Sequence, residues 1–349
     1  MKKKITLLAI IYLVISIIFI PFFRVVSFVL FILFILLGLS LIWMLILNKL
    51  YKHTNHWKNQ FLFQKNFISN SEYRNNISRN FDVVNLGSNP ALYGLFYEKV
   101  RGQNWATGSQ GLPMDFEVLK YFHSYIKNDG YVLIPIMPFT AISQYIKNKP
   151  DYWDLSYYMK FASILDGAQA DALQNGKKIQ RNLRYPIIYN LRLVRYILHD
   201  VELNKSCDIA EQQMTSLELE QDARKWINGW KKEFDAKNMK EFFNERYRPY
   251  KKESLDILKQ MIDFCLERNL NPVLITIPMS SFLSDHFSAE FRQRMLVDFI
   301  KSVNVRNIKV LDYMFDDCLS DASLYMGSFL LNLRGRKIFT TKVMTDLGL

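Results

Sequence analysis

Gly87-Ser88-Asn89-Pro90 sets a hydroxyl between an apolar run and a helical pattern that begins at Ala91. A serine on such a turn becomes an acyl-accepting nucleophile only when a neighbouring base takes its proton. Pro90 suits the first turn of a helix and Asn89 suits a cap, so the backbone amides here can also face an anion. Of the five histidines, His286 is the one that can serve Ser88. It stands in Asp285-His286, after an apolar run, Pro278 and a Ser-rich loop, and reaches Ser88 only if that loop folds inward. His123 lies in a helical pattern with Tyr121 and Phe122, His199 in a basic stretch, and His53 and His56 in a polar connector. None has the four-residue spacing with an intervening Glu that marks a helical zinc site, so no metal and no cofactor is expected. Cys207, Cys265 and Cys318 are odd in number and unpaired in spacing, and read as small buried hydrophobes.

The elements that must hold these groups are legible as short apolar runs: Phe81–Leu86, Tyr131–Ile136, Val273–Ile277 and Ile308–Leu311, with a further strand around Asn104–Ala106. Runs this short, rich in Val and Ile and without strict alternation, are what parallel strands buried on both faces look like. Helical patterns at Phe116–Lys127, Ser254–Arg268, Ala289–Ser302 and Leu333–Leu347 alternate with them. The pattern predicts an α/β fold, an open parallel sheet with helices on both faces. Ligands of such sheets bind beyond the carboxyl ends of the strands, where strand order reverses. The crevice residues predicted on that ground are Gly87, Ser88, Asn89, Asn104, Gln110, Gly111, Pro138, Phe139 and Asn332. Asn104 and Asn332 also have a purely structural role open to them as turn and cap residues.

The chain has 349 residues, 45 Lys plus Arg against 33 Asp plus Glu, and a net charge of +12. Residues 1–50 hold five basic residues and no acid, which makes part of that excess a membrane signal rather than a nucleic-acid one. Ile5–Phe23 and Val25–Leu47 are apolar runs of 19 and 23 residues separated only by Arg24. Each is near the roughly 20 residues that span a bilayer, which predicts two N-terminal transmembrane helices in a hairpin turning at Pro21 and Arg24. Lys2 to Lys4 and Lys49, Lys52 and Lys58 flank the outer ends, so the hairpin puts both ends, and the large domain, in the cytoplasm. A single span puts that domain outside. Residues 51–80 read as a connector and 81–349 as the α/β domain, with a helical insertion at about 150–250. Within the insertion Lys177, Lys178, Arg181, Arg184, Arg192 and Arg195 precede any acid before Asp200, beside Ile187, Ile188, Leu191, Val194 and Leu198 at helical spacing. This predicts either a basic amphipathic helix on anionic lipid or a solvated helix packing its stripe on the main domain.

The runs VVNLGSNPALYGLF, GQNWATGSQGLPMDFEVLKYFHSYIK, GYVLIPIMPF and FLLNLRGRKIFTTKV resemble the membrane-anchored branch of the SGNH (GDSL-like) hydrolase superfamily, over most of residues 81–149 and 255–349. The resemblance implies a flavodoxin-like five-stranded sheet, ester hydrolysis or acyl transfer, and work in cell-surface or capsular polysaccharide assembly beside a membrane-bound O-acyltransferase. The match departs from the family at the catalytic positions. The nucleophile of the family's Gly-Asp-Ser or Gly-Ser-Ser motif falls on Asn89, and Ser88 sits one place early. Aligning the terminal Asp-x-x-His motif on Leu331-Asn332 and Gly335 puts Gly327 at the Asp and Leu330 at the His. Gly111 matches the oxyanion glycine, while Pro138 and Phe139 stand where the family has an Asn donor.

Three functions follow as expectations. The first is a membrane-anchored protein lacking the triad that binds a glycan or a partner in polysaccharide assembly. The second is an O-acyltransferase or esterase acting on a glycan through Ser88. The third is a structural protein whose crevice is filled by its own Phe139 and Tyr93. Nucleic acid is not expected as a partner.

Overall fold

A computed structural model describes residues 2–57, 80–108, 110–147, 184–199 and 213–349. Residues 58–79 of the connector and 150–183 and 200–212 of the insertion lie outside the described residues, and with them Lys58, Lys177, Lys178, Arg181 and Cys207. The chain forms two units, one holding the N-terminal helix together with the stretch 184–199, the other holding the sheet.

The sheet unit has five parallel strands: β1 (Phe81–Asn85), β2 (Gly102–Asn104), β3 (Ile126–Pro135), β4 (Asn271–Ile275) and β5 (Lys309–Leu311). Their order is β2-β1-β3-β4-β5. In register, Asn85 faces Asn104 on one side and Leu133 on the other, and Leu133 in turn faces Val273. Val83, Val84, Val132, Leu133, Ile134, Leu274 and Ile275 are fully buried, which is why the central runs are apolar without alternation. Around the sheet lie α2 (Asn89–Leu92), α3 (Leu112–Phe122), α4 (Ser216–Glu233), α5 (Arg248–Leu266) and α6 (Leu333–Leu347). The stretch predicted as one helix from Ala289 is divided by a π-helical turn at Gln293–Val297.

Local chemistry sets these boundaries. Thr215 and Glu218 form a reciprocal capping box at the start of α4. Asn332 accepts the Gly335 N–H at the start of α6, which ends at Gly348 with φ +77°. Phe339, Val343 and Leu347 of α6 join Val83, Leu133, Val273 and Ile275 in one core. Truncating the fully buried Phe339 to Ala is expected to cost about 3–5 kcal/mol. Of the cysteines, Cys265 is buried as expected and Cys318 is exposed.

In the other unit the backbone differs from the predicted hairpin. A single helix, α1 (Lys2–Tyr51), runs unbroken through Pro21 and Arg24 for 50 residues. Pro21 removes one helical N–H without ending the helix, and Pro21-Phe22-Phe23-Arg24 lacks the Gly, Asn or Asp that would accompany a proline in a tight reversal. Among the described residues Phe23–Tyr51 is the one helix long and apolar enough to cross a membrane. The basic stretch expected to form one helix is, over its described part 184–199, three short turns, Pro186–Tyr189, Leu191–Val194 and Arg195–Leu198. Asn190 divides them, its side chain accepting the Arg192 N–H. Ile187 is buried in this unit with its N–H on Asn48, so the stripe is not one continuous face.

Candidate functional site

Strand order reverses between β1 and β3, and the crevice opens beyond their carboxyl ends. Gly87 makes the exit from β1. Its φ is +112°, and a Cβ there would stand 2.9 Å from Pro135 Cγ and 3.0 Å from Ala91 Cβ. Only glycine takes this turn without strain. Ser88 follows in extended conformation as the cap of α2, with Pro90 in the first turn, and its hydroxyl makes no cap hydrogen bond.

The α2 turn is held from behind. Asn104 Nδ2 donates to the carbonyls of Ala91, Leu92 and Leu95, each at 3.1 Å. Arg336, almost completely buried, donates to the Leu92 and Leu95 carbonyls at 3.2 and 3.3 Å. Asn104 Oδ1 accepts from Asn85 Nδ2 at 2.8 Å, joining the ends of β1 and β2. Carbonyls that a four-residue helix leaves without partners are thereby satisfied.

Asp115, in the first turn of α3, forms the crevice floor. Its Oδ1 accepts the Gly87 N–H at 2.8 Å and Gln110 Nε2 at 2.5 Å. Gln110 is fixed in turn by Thr107, whose hydroxyl donates to Gln110 Oε1 at 2.8 Å. Complete burial pushes the Asp115 carboxyl up to about 7, although the hydrogen bonds from Gln110 and Gly87 pull the other way.

One wall is aromatic. Trp226, Trp230 and Glu233 recur at helical spacing along α4 and face the cavity with Phe139, Phe234 and Phe329. Trp226 meets Phe329 edge-on at 4.5 Å between ring centres, and Phe139 lies 4.9 Å from Trp230 and 4.8 Å from Phe242. The cavity of about 360 Å³ falls within the usual range for small-ligand sites, about 300–1,000 Å³. It stands open over Gly87 and Gly111, with Phe139 in its wall and Tyr93 outside its lining. Gly111 caps α3 at φ −103°, and the nearest atom to a Cβ there would be 3.9 Å away.

Seven of the predicted residues therefore meet in one crevice: Gly87, Ser88, Asn89, Gln110, Gly111, Pro138 and Phe139. Asn104 and Asn332 do not line it. Both amides are occupied by backbone partners, Asn104 as above and Asn332 between the Ser323 carbonyl and the Gly335 N–H. His286 is exposed and likewise outside the lining, because Asp285-His286 closes a surface helical turn instead of folding inward. Gly327 and Leu330 lie in the hairpin of β6 (Tyr325–Gly327) and β7 (Leu330–Leu331). The turn between them is pinned by Asp222, which accepts from Ser328 N–H and Oγ at 2.7 and 2.8 Å. It presents Phe329 to the crevice. No histidine, lysine or arginine lines the cavity among the described residues.

The sequence reading missed Asp115, Trp226, Trp230, Glu233 and Phe329. Asp115 stands in the quoted run LPMDFEVLK, and a carboxylate in a first helical turn ordinarily signals nothing beyond the helix dipole. Trp226 and Trp230, four apart, were the available sign of a helix face with a task. No protein-family model and no curated protein matches the chain.

Proposed function

We propose that this chain is a membrane-anchored SGNH-like protein with a flavodoxin-like sheet, which binds a neutral part of a glycan without cleaving it and serves as a binding or partner protein in cell-surface polysaccharide assembly. The observation that carries the reading is the composition of the crevice. Ser88 shares its lining with Trp226, Trp230, Phe139 and Phe329, and no imidazole lines the cavity among the described residues. A serine without a base is a poor nucleophile, whereas rigid aromatic faces beside amide, hydroxyl and carboxyl groups suit the apolar faces and hydroxyls of a sugar. Asp115 and Glu233 bring carboxyl oxygens to the same lining, acceptors suited to sugar hydroxyls. The apolar helix Phe23–Tyr51 supports anchoring to a membrane.

The test is a fluorescence titration of the full-length protein in detergent with neutral oligosaccharides, O-acetylated and de-acetylated. Saturable change in tryptophan emission, weakened roughly tenfold by Trp230→Ala, is the expected result. Absence of any saturable response, or a response that Trp230→Ala leaves unchanged, contradicts the reading. The second reading, an esterase or O-acyltransferase, rests on the presence of the Ser88 hydroxyl in the same crevice. It requires turnover of an acyl ester that Ser88→Ala abolishes.

A further inference from the structure

The foot of α1 carries a cluster that the crevice does not use. Residues 184–199 come back to it after a long interval of sequence and are fastened there. Ile187 N–H donates to Asn48 Oδ1 at 2.8 Å, Lys52 Nζ donates to the Arg184 carbonyl at 3.1 Å, and His56 stacks on Tyr196 with ring centres 3.5 Å apart. This brings Arg184, Arg192 and Arg195 into the same unit as Lys49 and Lys52. Neither residues 2–57 nor residues 184–199 contain a single Asp or Glu. The positive field is thus uncompensated from within these stretches. Burial, with Arg184 close by, lowers the Lys52 ammonium from its ordinary value.

The same segment exposes large apolar side chains that a soluble surface ordinarily covers. Ile188 is 43 % exposed, Tyr189 51 %, Leu191 60 % and Leu198 73 %, while Ile187 and Pro186 are buried. Apolar and aromatic side chains interleaved with Arg, next to the end of a helix able to cross a bilayer, match what the headgroup layer favours.

We infer that residues 184–199 form an interfacial collar that seats the foot of α1 on anionic lipid headgroups, with Arg184, Arg192 and Arg195 meeting the phosphates and Ile188, Leu191 and Leu198 entering the boundary with the acyl chains. The occupant is the bilayer itself. A protein partner would need acidic side chains at the same places, but the adjoining apolar span puts the collar at lipid, where each basic residue near an anionic surface contributes roughly fivefold in affinity.

The experiment is hydrogen exchange of the full-length protein in nanodiscs of phosphatidylcholine alone and in nanodiscs containing phosphatidylglycerol. The amides of 184–199 should exchange roughly tenfold more slowly in the anionic discs. In an Arg192→Glu/Arg195→Glu variant that difference should vanish, with exchange in the sheet unit unchanged. Equal exchange in both lipids contradicts the inference, as does protection that persists in the charge-reversed variant, since either result assigns the segment to packing on α1 alone. Slowing by free inorganic phosphate in the neutral discs, to the same extent as by phosphatidylglycerol, also contradicts it.

Discussion

The Asp115 carboxylate accepts the backbone N–H of Gly87 at 2.8 Å, tying the first turn of α3 to the left-handed residue that ends β1. The glycine of positive φ in the site and the buried carboxyl below it are therefore a single device. It fixes where Ser88 points, and it does so with a group whose charge is costly to bury.

That cost has a definite sign with pH. Burial raises the folded-state value of Asp115 to about 7, from an ordinary 3.8. The folded chain thus holds this proton where the unfolded chain has released it. The contribution to stability is fully present below about pH 4 and is lost as pH rises through about 7, with a ceiling of about 4 kcal/mol. Asp115→Asn keeps an acceptor for Gly87 and removes the titration. Thermal melts of both proteins between pH 4 and 8 should show the wild type falling relative to the variant as pH increases. Parallel curves would mean that Asp115 does not titrate in this window.

Gly87 and Gly111 should respond unequally to an added methyl. At Gly87 it meets Pro135 and Ala91 in a backbone region closed to alanine, so Gly87→Ala should lose about 2–4 kcal/mol in chemical denaturation. At Gly111 the nearest atom is 3.9 Å away and φ is ordinary. Gly111→Ala should cost about 1 kcal/mol or less while narrowing the crevice and weakening ligand binding.

Arg336 supports the Ser88 turn without facing the crevice. Arg336→Met removes donors to the Leu92 and Leu95 carbonyls and should cost about 2–3 kcal/mol. Asn104 still reaches both carbonyls, so the turn should survive as a looser one, measurable as faster hydrogen exchange over 88–96. Unchanged exchange there would show that Asn104 alone suffices.

The unbroken α1 bears on orientation. If Lys2 to Lys4 stay in the cytoplasm, one crossing through Phe23–Tyr51 carries the rest of the chain to the other side; if the more basic foot with Lys49, Lys52, Arg184, Arg192 and Arg195 stays there instead, the sheet unit does too. An alkaline phosphatase fused after Leu349 is active in intact cells in the first arrangement and inactive in the second. Reporters at the N-terminus and after Leu349 that mark the same side contradict a single crossing, and with it both arrangements.

The central strands β1, β3 and β4 were readable from sequence because burial on both faces leaves no polar alternation in runs such as VVNL and VLITI. By contrast β2, the polar Gly102–Asn104, meets the expected 104–106 only at Asn104, and β5 exposes Lys309 and Val310. Helix α6 was readable to the residue, since Asn332 and Gly348 mark its ends chemically. Gly87, Ser88 and Gly111 were found because strand ends and turns announce themselves in Gly, Ser and Pro. The rest depends on contacts distant in sequence. Nothing local says that Asp115 reaches back to Gly87, or that Trp226 and Trp230 of α4 line the same cavity as Ser88. Asn104 and Asn332 were assigned to the crevice because a free amide and a capping amide look alike in sequence. Hydropathy, which counts apolar residues but not turns, did not separate a hairpin at Pro21 from the continuous helix observed.

Covalent labelling of the full-length protein by a fluorophosphonate, read by mass spectrometry of the Ser88 peptide, tests most directly whether the crevice binds without reacting. With no imidazole in its described lining, Ser88 should remain unmodified under conditions that fully label an active serine esterase. A stoichiometric adduct on Ser88, absent from Ser88→Ala, would contradict the binding reading and establish the hydroxyl as a nucleophile.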